Sequence, residues 1–235
     1  MVSFDQFFPS GVHAFVSDRT VDFKSHPKTE GFTSQQKSYL QAHFPHLYKR
    51  VVNIHQVHGD FVWAIEKEDL DQLNGAQEAD GVITHVADVL IAVRTADCLS
   101  IFIYDPKRKC LGLVHAGWRG THKQIIMKAL QAMKEHWGCS LGDLLIAFGP
   151  CIRKCCYQVG REFKDYFPQD IEKHSGKYYL DLLLVNKKQL IQQGVKSSSI
   201  YDCQICTCCD KRFFSFRREK EAAGRQISLM ILKTQ

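Results

Sequence analysis

The stretch from Val89 to Gly120, VLIAVRTADCLSIFIYDPKRKCLGLVHAGWRG, constrains the fold more than any other part of the chain. Two apolar runs, Cys98 to Tyr104 and Cys110 to Ala116, flank Asp105-Pro106-Lys107-Arg108-Lys109. Asp-Pro followed by three cations marks a turn, because proline presets φ and the charges seek water. β-Branched and aromatic residues fill both runs, which predicts an antiparallel hairpin. With a four-residue loop the hairpin sets Cys98 directly across from His115. Cross-strand Cβ atoms lie about 5 Å apart, close enough for a thiolate and an imidazole to share one metal or one proton. A loop of five moves the partner to Ala116.

Other segments are assigned by the same periodicities. Strands are predicted at Gly11 to Ser17, Arg50 to Val57, Phe61 to Glu66, Asp80 to Thr84, Val89 to Thr95, Leu144 to Phe148, Ser199 to Cys203, Phe213 to Arg217 and Gln226 to Leu232. A helix should run from Thr33-Ser34-Gln35-Gln36 through Ala42 and stop before Pro45. Ile125, Ile126, Ala129, Leu130, Met133 and Trp137 recur at helical spacing, with Gly138 as a C′ stop. Shorter helices are expected at Gly160 to Phe167 and at Asp181 to Gln193, the latter with Asp181 as N-cap. Val21 to Thr33, broken by Pro27, and Lys67 to Ala79 read as loops. Strands outnumber helices and come partly in hairpins. The expected class is α+β, with mixed β-sheets and helices packed on them, in a single domain over residues 1–235.

A chain of 235 residues with 45% hydrophobic and 24% charged residues can bury a sizeable core. The start, MVSFDQFFPSGVHAF, has no basic segment followed by an apolar run, and no apolar run approaches the ~20 residues a bilayer requires. The expected location is the cytoplasm, with no membrane partner. A net charge of +6, spread along the chain, fits a phosphate-bearing ligand or a solvated face, and no nucleic-acid groove is expected. Ten cysteines without a secretory signal point to metal ligands or free thiols rather than a disulfide framework.

Five groups of residues can carry chemistry. His55 and His58 are three apart, and strand alternation sends them to opposite faces, so both cannot line one site. Gly59 favours His58 as the exposed member. Cys98 opposite His115 reads as a Cys–His nucleophilic dyad or as part of a zinc site with a further histidine. Three ligands with an open fourth position mark a catalytic zinc. Gly117-Trp118-Arg119-Gly120 lies between the His115 strand and the long helix, so backbone N–H groups and Arg119 form a candidate anion site. The remaining cysteines form two groups, Cys151/Cys155/Cys156 and Cys203/Cys206/Cys208/Cys209. Cys203-x-x-Cys206 has zinc-finger spacing, but without a second CxxC free thiols are the expected state. Phe213 to Arg218 with Gly224-Arg225 gathers aromatics and cations where an anion or a stacked base could sit.

Taken together, several of these pieces resemble the YfiH-like laccase-domain family, described first as polyphenol oxidases and then as purine nucleoside phosphorylases. The resemblance rests on His55-Gln56-Val57-His58-Gly59, Glu78-Ala79-Asp80-Gly81, Thr95-Ala96-Asp97-Cys98, His115-Ala116-Gly117-Trp118-Arg119-Gly120 and Gly149-Pro150. It continues through Cys206-Thr207, Phe214-Ser215-Phe216-Arg217-Arg218 and Gly224-Arg225. The N-terminal part departs. Where the family has Thr-Arg and paired glycines, this chain reads Phe15-Val16-Ser17-Asp18-Arg19-Thr20, and no substrate role is assigned to Arg19.

The resemblance implies a zinc ion on His58, Cys98 and His115, at a site that copper(II) could also occupy. It implies an α+β fold related in outline to toxin-type cysteine hydrolases. The implied activity is phosphorolysis of adenosine, inosine and S-methyl-5′-thioadenosine, with accompanying adenosine deaminase activity. The expected partners are purine nucleosides and phosphate. Candidate catalytic residues are Cys98, His115, His58 and Asp97, and candidate substrate or phosphate contacts are Arg119, Gly117, Gln56 and Arg217. The competing readings are a copper-dependent laccase, a Cys–His hydrolase, and a metal- or nucleotide-binding scaffold. A multicopper centre needs paired H-x-H segments, and the sequence has none. The usual nucleobase-deaminase signature is absent as well, so deamination would use a different arrangement.

Overall fold

The hairpin sits at the centre of the protein in a computed structural model, which describes residues 1–24, 31–45, 50–72 and 77–234. In chain order, β1 (Val2–Ser3) and β2 (Val12–Val16) precede α1 (Ser34–His43). Then β3 (Val51–Asn53), β4 (Val62–Ile65), β5 (Gly81–Thr84) and β6 (Leu90–Thr95) lead into the hairpin strands β7 (Leu99–Asp105) and β8 (Cys110–Ala116). Helices α2 (Trp118–His122) and α3 (Ile125–Trp137) follow, then β9 (Leu145–Phe148), β10 (Gln158–Val159), α4 (Phe163–Tyr166), β11 (Glu172–His174) and β12 (Lys177–Tyr179). The chain ends with α5 (Leu182–Gln192), β13 (Ile200–Asp202), α6 (Phe216–Glu219) and β14 (Gln226–Leu232).

Among the described residues, two large mixed sheets pack face to face. One has the strand order β1-β2-β14-β6-β3 and the other β13-β9-β7-β8-β5-β4. Period-2 alternation explains the layering. In β6, Ile91 and Val93 point into the space between the sheets, while Leu90 and Ala92 point outward to α1. In β7, Phe102 and Tyr104 face the other sheet, and Ile101 and Ile103 face α3. Both faces of each sheet are thus covered, which is why these strands read as continuous apolar runs. A small antiparallel sheet, β10-β12-β11, lies apart from these two. The class is α+β with mixed sheets and helices on them, as expected. Among the described residues no helix is long and apolar enough to cross a membrane.

Several elements form for the reasons visible in the sequence. Thr33 caps α1 with a capping box: its hydroxyl accepts from Gln36 N–H at 3.3 Å, and the Gln36 side chain accepts from Thr33 N–H at 2.9 Å. Gly138 closes α3 in the left-handed region at φ 67°. Asp181 caps α5 by accepting from Leu184 N–H at 3.1 Å.

Other expectations are corrected. The hairpin loop holds residues 106–109, yet the partner of His115 is Ser100, and Leu99 pairs with Ala116. Asp105 pairs with Cys110 at the loop, so counting back from that pair leaves Cys98 just before the strand rather than opposite His115. The strand predicted over Arg50 to Val57 ends at Asn53, because the next residues turn toward Asp80 instead of continuing a ladder. Phe213 to Arg217 is not a strand. Ser215 accepts from Arg218 N–H at 3.2 Å and starts the short helix α6. Gly117-Trp118-Arg119-Gly120, expected as the link between the His115 strand and the long helix, is itself helical from Trp118. That stretch forms the separate short helix α2, and Gln124 at φ 57° breaks the chain before α3 starts at Ile125. Of the two predicted loops, residues 25–30, with Pro27, and 73–76 lie outside the described residues.

Candidate active site

By alternation Ser100 and His115 lie on the faces of β7 and β8 that look toward the other sheet, and Cys98 sits just before β7 at the same end. A third segment completes the cluster. After β3 the chain passes through Val57-His58-Gly59, with His58 at φ 58°, a left-handed conformation uncommon outside glycine. The buried Asp80 carboxylate holds this turn, accepting backbone N–H bonds from Val57 at 3.2 Å, His58 at 3.1 Å and Gly59 at 2.5 Å. The same carboxylate meets His115 Nδ1 at 2.7 Å, which fixes the imidazole and leaves Nε2 for the cluster. One donor atom from each of His58, Cys98 and His115 lies within 4.8 Å of the others, and the two rings stand nearly perpendicular, 4.9 Å apart.

The donor set suits a metal. Two imidazoles and a thiolate are the ligands zinc and copper take, three in number with room for a fourth. Gly117 keeps the space clear, since a Cβ there would lie 3.1 Å from Cys98 Sγ and 3.3 Å from the His58 ring. Electrostatics favour the thiolate. Burial pushes the Cys98 thiol up, but the charge and hydrogen bonds of His115 and His58 outweigh it and bring the thiol down to about 6. Burial likewise works against protonated His115, and the Cys98 thiolate with Asp80 overcomes it to raise the imidazole to about 9.

Asp97, just before Cys98, has φ 91°, a second backbone conformation that needs support. Its carboxylate accepts from Thr207 Oγ1 at 2.7 Å and from Arg217 N–H at 2.6 Å, and its carbonyl accepts from Ile152 N–H at 2.9 Å. Asp97 therefore ties three segments to the turn that presents Cys98.

The cluster forms one wall of a cavity of about 600 Å³, within the usual size of small-molecule sites. Lys24, Arg94, Arg119, Arg217 and Arg225 line it, as do Trp118, Tyr157 and Phe216. Every candidate residue except Gly117 lines this cavity, and Gly117 backs the cluster. Their engagements differ. The Arg119 guanidinium stacks 4.3 Å from the Trp118 ring centre. Arg217 lies over Tyr157 and donates to Gln158 O at 2.8 Å. Gln56 clasps the backbone of Arg94 through both ends of its amide, at 2.9 and 2.7 Å, a structural engagement. The anion site expected from helix N–H groups beside Arg119 is not formed by the long helix, which starts only after Gln124.

His55 also lines the cavity with His58, against the expectation that one site could not hold both. Alternation does not apply, because the chain leaves extended geometry between them. His55 stays outside the metal-ligand cluster. Arg19 is held away from the cavity by Glu219 at 3.0 Å, stacked on Phe214. Asp80, Arg94, Tyr157 and Lys24 join the site without being expected there from the sequence. Arg94 carried a signal: it is a cation inside the otherwise apolar strand β6. In the fold its Nε donates to Phe23 O at 2.7 Å, and burial lowers its pKa to about 10.

The chain is similar to known proteins over nearly its whole length. A purine nucleoside phosphorylase of Aquifex aeolicus is 33% identical over 234 residues, covering 97% of this chain and 99% of that one. The purine nucleoside phosphorylase YlmD of Geobacillus stearothermophilus is 36% identical over 201 residues, 77% of this chain and 72% of that one. The crystal structure of YlmD from Geobacillus stearothermophilus superposes with a TM-score of 0.84 at 28% identity, covering 96% of this chain and 93% of the other. Residues 30–233 match the family model described as multi-copper polyphenol oxidoreductase laccase, and the chain belongs to that family.

Proposed function

We propose that the protein is a zinc-dependent purine nucleoside phosphorylase, with residues 1–235 working as one cytoplasmic domain and His58, Cys98 and His115 holding the metal. The observation that carries the reading is the meeting, in one cavity, of that donor cluster with five cations. The relatives named purine nucleoside phosphorylase support purine nucleosides as the substrate class, and the proposal extends this to adenosine, inosine and S-methyl-5′-thioadenosine.

Phosphorolysis joins a phosphate oxygen to C1′ of the ribose as the bond from C1′ to the base breaks. The base leaves with the bonding pair and takes up a proton. Phosphate must be held against its own charge, and the cations lining the cavity can do this. Arg119 and Arg217 present fixed guanidinium planes, the geometry that grips phosphate oxygens in pairs. Tyr157 and Phe216 offer ring faces on which a purine can stack. Asp97 acts as a positioning residue by fixing the turn before Cys98 and the backbone of Arg217. Zinc, when bound, supplies a Lewis acid and lowers the pKa of a coordinated water to about 7, chemistry suited to the adenosine deaminase activity that belongs to this proposal.

Zinc-containing protein incubated with inosine is expected to release hypoxanthine only when phosphate is present. No base release under those conditions would overturn the phosphorylase reading. A second reading has its own support, since the low thiol of Cys98 beside His115 also suits a Cys–His hydrolase. Base release that survives metal removal and stops on thiol alkylation would favour it. Oxidation of phenols confined to copper-loaded protein would mark a laccase activity as incidental to the site.

A further inference from the structure

A second group of sulfurs lies outside the cavity. The backbone of Cys151 bridges to that of Cys206, with Cys151 N–H donating to Ile205 O at 3.3 Å and Thr207 N–H to Cys151 O at 3.0 Å. That bridge lays two turns side by side. One carries Cys155 and Cys156, closed by Cys156 N–H to Arg153 O at 2.9 Å. The other carries Cys206 to Cys209, closed by Asp210 N–H to Cys206 O at 2.9 Å. The sulfurs of Cys155, Cys156, Cys206 and Cys209 all fall within 4.8 Å of one another. Cys206-x-x-Cys209 is a second CxxC, overlapping Cys203-x-x-Cys206, which corrects the expectation that none is present. It is Cys206-x-x-Cys209 that converges with Cys155 and Cys156, while Cys203 and Cys208 stand outside the group.

We propose that Cys155, Cys156, Cys206 and Cys209 form a second, structural zinc site that clamps the turn before Tyr157 to the loop before Arg217. The geometry supports it in three ways. Four sulfurs around a tetrahedral zinc at about 2.3 Å lie about 3.8 Å apart. Cys155 and Cys156 stand 3.8 Å apart, Cys155 and Cys209 3.8 Å, and Cys156 and Cys209 3.3 Å. These separations are far beyond the S–S bond of about 2.05 Å, so the four are arranged around a point and not joined in pairs. Backbone N–H of Arg153 also points at Cys206 Sγ from 3.5 Å, the kind of donor that stabilises a ligating thiolate. Finally, all four are free cysteines, so each has a sulfur available to ligate. All four ligands come from protein, so this ion has no open position and takes no substrate.

The clamp has a definite consequence for the cavity. Ile152 and Tyr157 come from one turn, and Phe216 and Arg217 follow the other, so the metal fixes two walls relative to each other. Thr207, between Cys206 and Cys208, donates to Asp97, and the carbonyls of Thr207 and Cys208 accept from Arg218 at 2.8 and 2.9 Å.

Zinc content of protein purified under reducing conditions is the test. Wild type is expected to hold about two ions per chain. Cys98→Ala should retain one, and the double variant Cys156→Ser with Cys209→Ser should also retain one. Because Cys98→Ala empties the cavity site, its remaining ion reports this site alone, whatever the cavity site binds. Should the double variant fail to fold, cobalt(II) added to metal-free Cys98→Ala protein decides. An intense sulfur-to-cobalt charge-transfer band of a tetrahedral tetrathiolate is expected. Cys98→Ala protein without zinc and without that band would overturn the proposal. Iron in place of zinc, or a disulfide within the four in freshly purified protein, would do the same.

Discussion

Asp80 serves two structures with one side chain: it holds the left-handed turn at His58 and orients the ring of His115. Asp80→Asn is therefore expected to weaken metal binding 10- to 100-fold and to cost about 2 kcal/mol of stability, read by metal titration and thermal unfolding. Gly117→Ala tests the neighbouring contact. Its backbone, at φ −76°, accepts alanine, so the melting temperature should change little. The added methyl meets Cys98 Sγ and the His58 ring, and the site should lose about 1–3 kcal/mol of metal affinity. Wild-type affinity in Gly117→Ala would show that the cluster does not use the space in front of Gly117. At this scale the sequence displayed the residues that cluster, His58, Cys98 and His115, but not what holds them in place. Thr207 lies 110 residues from Asp97, and no local pattern links the two.

Elements built on strong periodicity were legible. The hairpin, α1 with its capping box, α3 with its glycine stop and α5 with its aspartate cap all appear where residue chemistry puts them. Gly138→Ala should destabilise the protein by about 1 kcal/mol, because the left-handed cap then carries a side chain, and should leave catalysis unchanged. Thermal unfolding beside a turnover assay checks both halves of that expectation. Elements lacking periodicity were not legible. Strands β10, β11 and β12 are two or three residues long and gain their order from pairing with one another. The aromatic spacing of Phe213 to Phe216 imitates a strand, while Ser215 competes for the backbone and wins a helical turn. In the hairpin the loop length was right and the pairing displaced by two, so Cys98 reaches the site from beyond the strand.

Across the whole molecule the cavity opens between two sheets, and its cations come from both ends of the sequence. If they hold phosphate, Arg119→Gln should raise KM for phosphate about tenfold, with a smaller effect on KM for the nucleoside and little change in melting temperature. Equal effects on both constants would place Arg119 elsewhere in the reaction. That cavity wall could not be read from sequence, since Lys24, Arg94 and Arg225 are far apart in the chain and converge only through sheet order. The ten unpaired thiols extend the argument to how the protein is made. Before the sheets assemble, nothing tells one sulfur from another, and an extended chain offers zinc many wrong partners. Refolding in excess zinc should thus yield less native protein than refolding without it and adding the ion afterwards. Such a result would put metal binding after sheet assembly, where His58, Cys98 and His115 first become neighbours.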